Sequence, residues 1–123
     1  MDRFVIRQVA SGVKFDLKAA NGQRILTSEV YTSAEACRKG IESVRKVAPT
    51  APVEDRTEEA PEVKPHPKFE LYEDRSGQFR FRLKSRNGKV IGISDGYRTR
   101  AGALSGIESV KVNAASRSFL AEK

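Results

Sequence analysis

The chain has 123 residues, of which 38% are hydrophobic and 32% charged, with a formal net charge of +7. This length suits one ordinary domain or two very small ones, and the composition supports only a small core. No apolar run is long enough to span a bilayer, and charged residues interrupt the apolar ones at the start, so we expect no membrane span and no signal peptide.

One cysteine and one histidine exclude an internal disulfide framework, most metal sites and most nucleophile–histidine pairs. Cys37 falls on the apolar stripe of a predicted helix, where a small buried hydrophobe is the more common role. His66 stands between two prolines, a setting that fixes no catalytic geometry. We therefore expect no catalytic residues, no cofactor and no metal, and a reducing cytoplasmic location.

The first third of the chain predicts three strands followed by a helix. Apolar residues alternate in 4–6 and in 15–17, as in strands with one buried face, and Asn21-Gly22 signals a hairpin loop. A capping box at Thr32 and Glu35 then begins a helix. The apolar stripe of this helix consists of Cys37, Ile41, Val44 and Ala48.

A proline-rich, acidic segment separates two basic parts of the chain. All five prolines lie in 49–67, together with five acidic and two basic residues. The net charges are +4 for 1–48, −3 for 49–67 and +6 for 68–123. We expect a first repeat at 1–57 with a short fourth strand near 53–56, a linker at 58–67, and a second repeat at 68–123 with a fourth strand near 117–120. Such small units bury little surface, so we expect one shared core.

The second part repeats the pattern of the first. Strands are predicted around 69–71 and 79–83, and a helix capped by Thr99 follows. Between them, a three-residue loop at 86–88 with Gly88 in the left-handed region keeps one apolar face intact. The expected cross-strand pairs are Leu83 with Ile91 and Phe81 with Ile93. The apolar stripe of the second helix consists of Ala103, Ile107, Val110 and Ala114.

The two parts of the chain are copies of one internal repeat. A shift of 66 residues gives 14 identities over residues 14–48, including Gly40-Ile41-Glu42-Ser43-Val44 over the same five residues from Gly106. A glycine inside a helix costs about 1 kcal/mol relative to alanine. Its presence at Gly40 and at Gly106 therefore predicts close packing of each helix against a neighbouring element.

Two stretches of the second repeat resemble the YegP-like family of small bacterial proteins of undefined function. One is Gly-Gln-Phe-Arg-Phe-Arg-Leu-Lys-x-x-Asn-Gly-Lys-Val-Ile at 77–91; the other runs from Tyr97 to Val110. The resemblance implies an α+β fold in which tandem β-β-β-α-β repeats form one antiparallel sheet with two helices on one face. It also implies that the last strand of each repeat, at 53–56 and 117–120, is exchanged into the other half. The family supplies no catalytic residues.

Basic side chains alternate with the apolar residues of the predicted strands and so share one face of the sheet. They are Lys14, Lys18 and Arg24 in the first repeat and Arg80, Arg82 and Lys84 in the second. This pattern is compatible with binding to nucleic-acid phosphates, but also with a solvated face on which Glu70 and Asp16 act as cross-strand partners. The predicted face offers only Tyr72 for base stacking, which favours the solvated face.

Two functional hypotheses follow. The first is a non-enzymatic structural or interaction domain with an unidentified protein partner. The alternative is a weak, non-specific nucleic-acid-binding module that uses the six basic residues. In both cases we expect a monomer with internal pseudo-twofold symmetry. Glu42 and Glu108 recur in both repeats, but polar residues on an exposed helix face explain them without catalysis.

Overall fold

A computed structural model describes residues 4–115 and the backbone of residues 121–122. In the first repeat the elements are β1 (Phe4–Val9), β2 (Gly12–Lys18), β3 (Arg24–Thr27), α1 (Ala34–Val47), a 3₁₀ turn (Ala48–Thr50) and β4 (Val53–Asp55). In the second they are β5 (Lys68–Glu73), β6 (Phe79–Lys84), β7 (Val90–Ile93), α2 (Arg100–Ala114) and β8 (Ala121–Glu122).

All eight strands form one sheet, in the order β4-β5-β6-β7-β3-β2-β1-β8. The first half of the sheet (β1, β2, β3) and the second half (β5, β6, β7) are antiparallel meanders. They meet where β3 pairs with β7, with Thr27 opposite Ile93. The predicted α+β fold of two tandem repeats is confirmed.

Each edge strand belongs to the opposite repeat, as the resemblance implied. β4 pairs with β5 and β8 pairs with β1, and both pairings are parallel, so the sheet is mixed rather than wholly antiparallel. A parallel pair needs a crossover of about a dozen residues, and residues 56–67 provide that length between β4 and β5. The strand predicted at 117–120 lies outside the described residues; the strand found near it is Ala121–Glu122.

A single hydrophobic core contains residues from both halves of the sheet and both helices. Four fully buried phenylalanines form two equivalent edge-to-face pairs. Phe4 and Phe15 have ring centroids 6.0 Å apart, and Phe69 and Phe81 have centroids 5.9 Å apart. The predicted stripes of both helices are buried in this core, including Cys37, whose thiol pKa is raised by burial. The sheet face away from this core carries no described helix and is called the open face below.

The two helix glycines allow each helix to lie directly on a tyrosine. A Cβ on Gly40 would overlap the hydroxyl of Tyr31, and a Cβ on Gly106 would overlap that of Tyr97. Each tyrosine ring also stacks on a core phenylalanine, at 6.2 Å in the first repeat and 6.1 Å in the second. The close packing predicted from these glycines is confirmed.

The loop glycine was predicted correctly, but the register beside it was not. Gly88 has a φ of +83° as expected, whereas the bulge lies at Leu83 and Lys84. Leu83 is therefore opposite Gly92, and Arg82 is opposite Ile93. The predicted pairs of Leu83 with Ile91 and of Phe81 with Ile93 are wrong. The bulge still buries Ile91 but turns Ile93 to the open face, where it is 38% exposed.

The two helices begin at equivalent residues. Thr99 caps α2, as predicted, and accepts a hydrogen bond from the backbone N–H of Gly102. In α1 the cap is Ser33, which accepts from the N–H of Ala36, and the prediction of Thr32 is wrong by one residue. The repeat shift of 66 places Ser33 on Thr99, so the alignment of repeats identifies the cap better than the local motif.

Candidate functional site

The predicted basic residues of the second repeat lie on the open face and are held by carboxylates. Arg80 Nε lies 2.7 Å from Asp74 Oδ2, and Arg82 Nε lies 2.6 Å from Glu70 Oε1. Lys84 Nζ lies 3.2 Å from the other oxygen of Glu70. These guanidinium and ammonium groups lower the pKa of Glu70 and of Asp74 against their ordinary values. All three cations thus have a structural counter-ion.

Tyr72, the outward aromatic residue of this half, is covered by Arg82. The guanidinium carbon of Arg82 lies 4.6 Å from the centroid of the Tyr72 ring, a cation–π contact. A nucleic-acid base would have to displace Arg82 in order to stack on this face of the ring. The second half of the open face therefore lacks the free aromatic platform that single-stranded nucleic acids use.

A buried ion-pair cluster lies at the β4–β5 edge. Glu54 is fully buried, and Lys68 Nζ lies 2.7 Å from its Oε1 and 3.5 Å from Glu70 Oε2. Hydrogen bonds from Lys68, from the backbone N–H of Lys64 and from Arg56 lower the pKa of Glu54 to about 2. Because both Lys64 and Arg56 belong to residues 56–67, this segment covers the edge of the open face.

The first half of the open face has fewer acids. Asp16 is buried and accepts from Arg7 Nε at 2.9 Å and from the hydroxyl of Thr27 at 2.7 Å. Arg24 pairs with Asp95 across the centre of the sheet, at 3.0 Å. That ion pair is exposed on both sides, so its contribution to stability is small.

In two cross-strand pairs of the first half, a cationic residue lies opposite another cationic residue. Arg7 lies directly opposite Lys14 on β1 and β2, and Lys18 lies directly opposite Arg24 on β2 and β3. Among the described residues, no carboxylate lies within ion-pair distance of Lys14 or Lys18. Arg7 was not among the residues predicted from the sequence, although alternation continued from Phe4 and Ile6 places it on this face.

The second half has no such pairs at the equivalent positions. Tyr72 is opposite Arg80 where the first half has Arg7 and Lys14, and Lys84 is opposite Val90 where it has Lys18 and Arg24. The structure thus places the six predicted basic residues on one face but in two different settings. Arg80, Arg82, Lys84 and Arg24 each have a carboxylate partner, whereas Lys14 and Lys18 have none among the described residues.

The described residues contain no group of three or more His, Cys, Asp or Glu side chains placed to hold a metal ion. No helix among them is both long enough and apolar enough to cross a membrane. Glu42 and Glu108 are exposed on α1 and α2, and Glu42 lies 3.4 Å from Arg45 one turn along the helix.

Both repeats of the chain match a known family of proteins. A model described as Domain of unknown function (DUF1508) matches residues 10–55 and 74–118, once for each repeat. The chain belongs to this family. Its two matched segments correspond to the repeat found in the sequence.

Curated relatives agree with this assignment. The UPF0339 protein YegP of Escherichia coli O6:H1 is 41% identical over 104 residues, covering 85% of this chain and 81% of that protein. The UPF0339 protein PA0329 of Pseudomonas aeruginosa is 39% identical over 110 residues, covering 89% and 86%. A UPF0339 protein of Treponema denticola is 60% identical over 47 residues, which cover 38% of this chain and 81% of that protein, so it is about one repeat long.

Solved structures show the same architecture. The solution NMR structure of the protein of unknown function yegP from E. coli has a TM-score of 0.79 at 34% identity, covering 98% of this chain and 90% of that one. The solution NMR structure of the UPF0339 protein SO3888 from Shewanella oneidensis has a TM-score of 0.78 at 28% identity, covering 97% and 88%. The names of these relatives assign no specific role and do not favour nucleic-acid binding.

Proposed function

We propose that the chain is a non-enzymatic interaction domain that binds an acidic protein partner through the first half of its open face. The observation that carries the proposal is the pair of cross-strand positions with like charge, Arg7 opposite Lys14 and Lys18 opposite Arg24. Arg7 and Arg24 have carboxylate partners, so Lys14 and Lys18 are the cations left without one among the described residues. Like charges directly opposite each other destabilise a sheet. A carboxylate of a partner placed beside Lys14 or Lys18 would relieve this repulsion and so contribute to binding.

The second repeat supports a functional rather than a structural origin for these charges. It folds as the same meander with Tyr72 opposite Arg80 and Lys84 opposite Val90 at the equivalent positions. The scaffold therefore does not require two cations there. Residues of 56–67 also limit access to the second half, because Arg56 and the backbone N–H of Lys64 bind Glu54 at its far edge.

The centre of the open face favours a protein partner over a nucleic acid. Ile93 is 38% exposed at the junction of the two halves, with Arg24 on the neighbouring strand and Arg82 directly opposite it. An apolar centre within a polar rim is typical of protein–protein interfaces. Nucleic-acid binding that includes the second half would need Arg80, Arg82 and Lys84 to leave Glu70 and Asp74, and base stacking would need an aromatic ring other than the one Arg82 covers.

In this proposal the working form is a monomer, because the two repeats of one chain complete each other's sheet edges. The proposal also places the domain in the cytoplasm, where the single buried thiol of Cys37 remains reduced. Charge complementarity of this kind raises association rates and makes binding sensitive to salt.

The proposal is tested by fluorescence anisotropy with two labelled probes of equal charge, a polyglutamate peptide and a single-stranded oligodeoxynucleotide. The variant Lys14→Gln/Lys18→Gln should bind the peptide about ten-fold more weakly than the wild type, a difference of about 1.4 kcal/mol. Lys39→Gln/Arg75→Gln is the matched control, because it removes two exposed cations elsewhere. Equal weakening in both variants would contradict the proposal, and preference for the oligonucleotide would favour the nucleic-acid alternative.

A further inference from the structure

A second cationic site lies away from the open face. It is a cleft of about 320 Å³ between the last turns of α1 and the loop that joins β6 to β7. Its walls are formed by Ser43, Lys46, Val47, Ser85, Arg86 and Asn87. Ligand pockets in proteins start at about 300 Å³, so the cleft suits a small molecule rather than a large cofactor.

The polar side chains in this cleft can all donate hydrogen bonds, and its two cations have no counter-ion among the described residues. Lys46 and Arg86 are exposed, and among the described residues neither has a carboxylate within ion-pair distance. The loop is held in place from within, because Asn87 Oδ1 accepts from the hydroxyl of Ser85 and from the backbone N–H of Lys89. Asn87 is left with its amide nitrogen, a donor, for any ligand.

The other repeat shows that the fold does not need these groups. At the equivalent positions, 66 residues away, Val112 replaces Lys46, Ala20 replaces Arg86 and Ala19 replaces Ser85. Val112 is 71% exposed, so an apolar residue at this position serves no packing purpose. The cationic cleft therefore exists in only one of two otherwise equivalent places.

The helix dipole does not account for Lys46. A cation near the end of a helix stabilises it, and α1 already carries Arg45 in its last turn. The equivalent residue in α2 is Lys111, the only basic residue in the last turn of that helix. In the second repeat a single cation stabilises the end of the helix, so Lys46 is a second cation that the end of α1 does not require.

We propose that this cleft binds the phosphate group of a small phosphomonoester. A guanidinium such as that of Arg86 matches two phosphate oxygens in its fork, and an ammonium such as that of Lys46 acts as a point charge. The Ser43 hydroxyl and the Asn87 amide supply neutral donors at the rim. The site uses none of Arg7, Lys14, Lys18 or Arg24, so it stands independently of the proposed protein-binding face.

The test is an NMR titration of the full chain with inorganic phosphate and, separately, with glycerol 3-phosphate. Both probes should give saturable shifts confined to the amides of Ser43, Lys46 and residues 85–89, and the ester should bind at least as tightly. The variant Lys46→Val/Arg86→Ala copies the other repeat, so it should fold normally and bind about ten-fold or more weakly. Lys39→Gln/Arg75→Gln, which removes two exposed cations outside both proposed sites, should bind as the wild type does.

Three results would overturn the proposal. Shifts that do not saturate, or that spread over all basic surfaces, would show general ionic attraction. Equal binding by wild type and Lys46→Val/Arg86→Ala would place the anion elsewhere. Binding of inorganic phosphate with exclusion of glycerol 3-phosphate would eliminate the phosphomonoester as the ligand class.

Discussion

Leu26 fills the space that a side chain on Gly92 would need. A Cβ placed on Gly92 would lie 2.6 Å from both Cγ and Cδ2 of Leu26. The two residues are equivalent in the repeat, being 66 positions apart, and they lie on the core side of β3 and β7, the strands that join the halves. The junction therefore holds one large side chain, and the two repeats differ because only one of them can supply it.

This relationship predicts strong coupling between the two positions. Gly92→Leu should destabilise the protein by about 1–3 kcal/mol through overpacking. Leu26→Gly should also destabilise it, by at least the roughly 2–5 kcal/mol typical of a buried leucine cut to alanine. The exchange Leu26→Gly/Gly92→Leu should recover part of the loss, as measured by urea denaturation of all four proteins. Strictly additive effects would show that the two positions do not share this space.

The helix glycines give a second prediction. Gly106→Ala should lower the free energy of unfolding, although alanine is favoured in a helix by about 1 kcal/mol, because the new methyl group meets the hydroxyl of Tyr97. Gly106→Leu should destabilise further. Ser105→Leu is the matched control on the exposed side of α2 and should be close to neutral. A higher urea midpoint for Gly106→Ala would contradict the packing described here.

The elements and their repeat could be predicted from the sequence because side-chain periodicity and a 66-residue shift are visible in one chain. The register at Ile93 could not, because a loop beside Gly88 is compatible with two positions of the bulge. Gly92 has no side chain because Leu26 fills the space beside it, and no local sequence pattern reveals this contact between distant residues.

The candidate face was predicted in part, for a similar reason. Alternation along the strands places Lys14, Lys18 and Arg24 correctly and identifies Glu70 as a partner acid. Which cations are neutralised depends also on Asp74, a loop residue whose position local spacing does not specify. The burial of Glu54 follows from the parallel pairing of β4 and from the path of 56–67, neither of which local periodicity determines.

Acidification should weaken the fold through Glu54. The pKa of this carboxyl is about 2 in the folded chain, below its ordinary value of 4.5, so its stabilising contribution is complete above pH ~4.5 and is lost as the pH falls towards ~2. Urea midpoints measured between pH ~5 and ~2.5 should therefore fall for the wild type.

The comparison protein for this experiment is Glu54→Gln/Lys68→Met. It removes the carboxylate together with the ammonium group that lies 2.7 Å from it, so no buried charge is left alone. Its urea midpoint should fall less over the same pH range, with the remaining slope due to Glu70, Asp55 and Asp74, whose pKa values are also lowered in the folded chain. Identical slopes for the two proteins would show that Glu54 does not contribute.

The shared core predicts that half of the chain does not fold alone as a monomer. Residues 1–48 contain β1, β2, β3 and α1 but lack β7, which pairs with β3 in the full chain. Leu26 would therefore lose its contact with Gly92 on β7. We expect this fragment to be unfolded or dimeric when its circular dichroism and sedimentation are measured. A stably folded monomer would show that each repeat has a sufficient core of its own.

The central claim is that the repulsive pairs of the first half mark the surface that binds an acidic partner. An NMR titration of the wild type with a polyglutamate peptide tests it most directly, because it locates the bound peptide among the backbone amides. We predict saturable shifts centred on Arg7, Lys14, Lys18 and Ile93, with β5 and β6 little affected. Shifts centred on Arg80, Arg82 and Lys84, or equal shifts on both halves of the sheet, would contradict the claim.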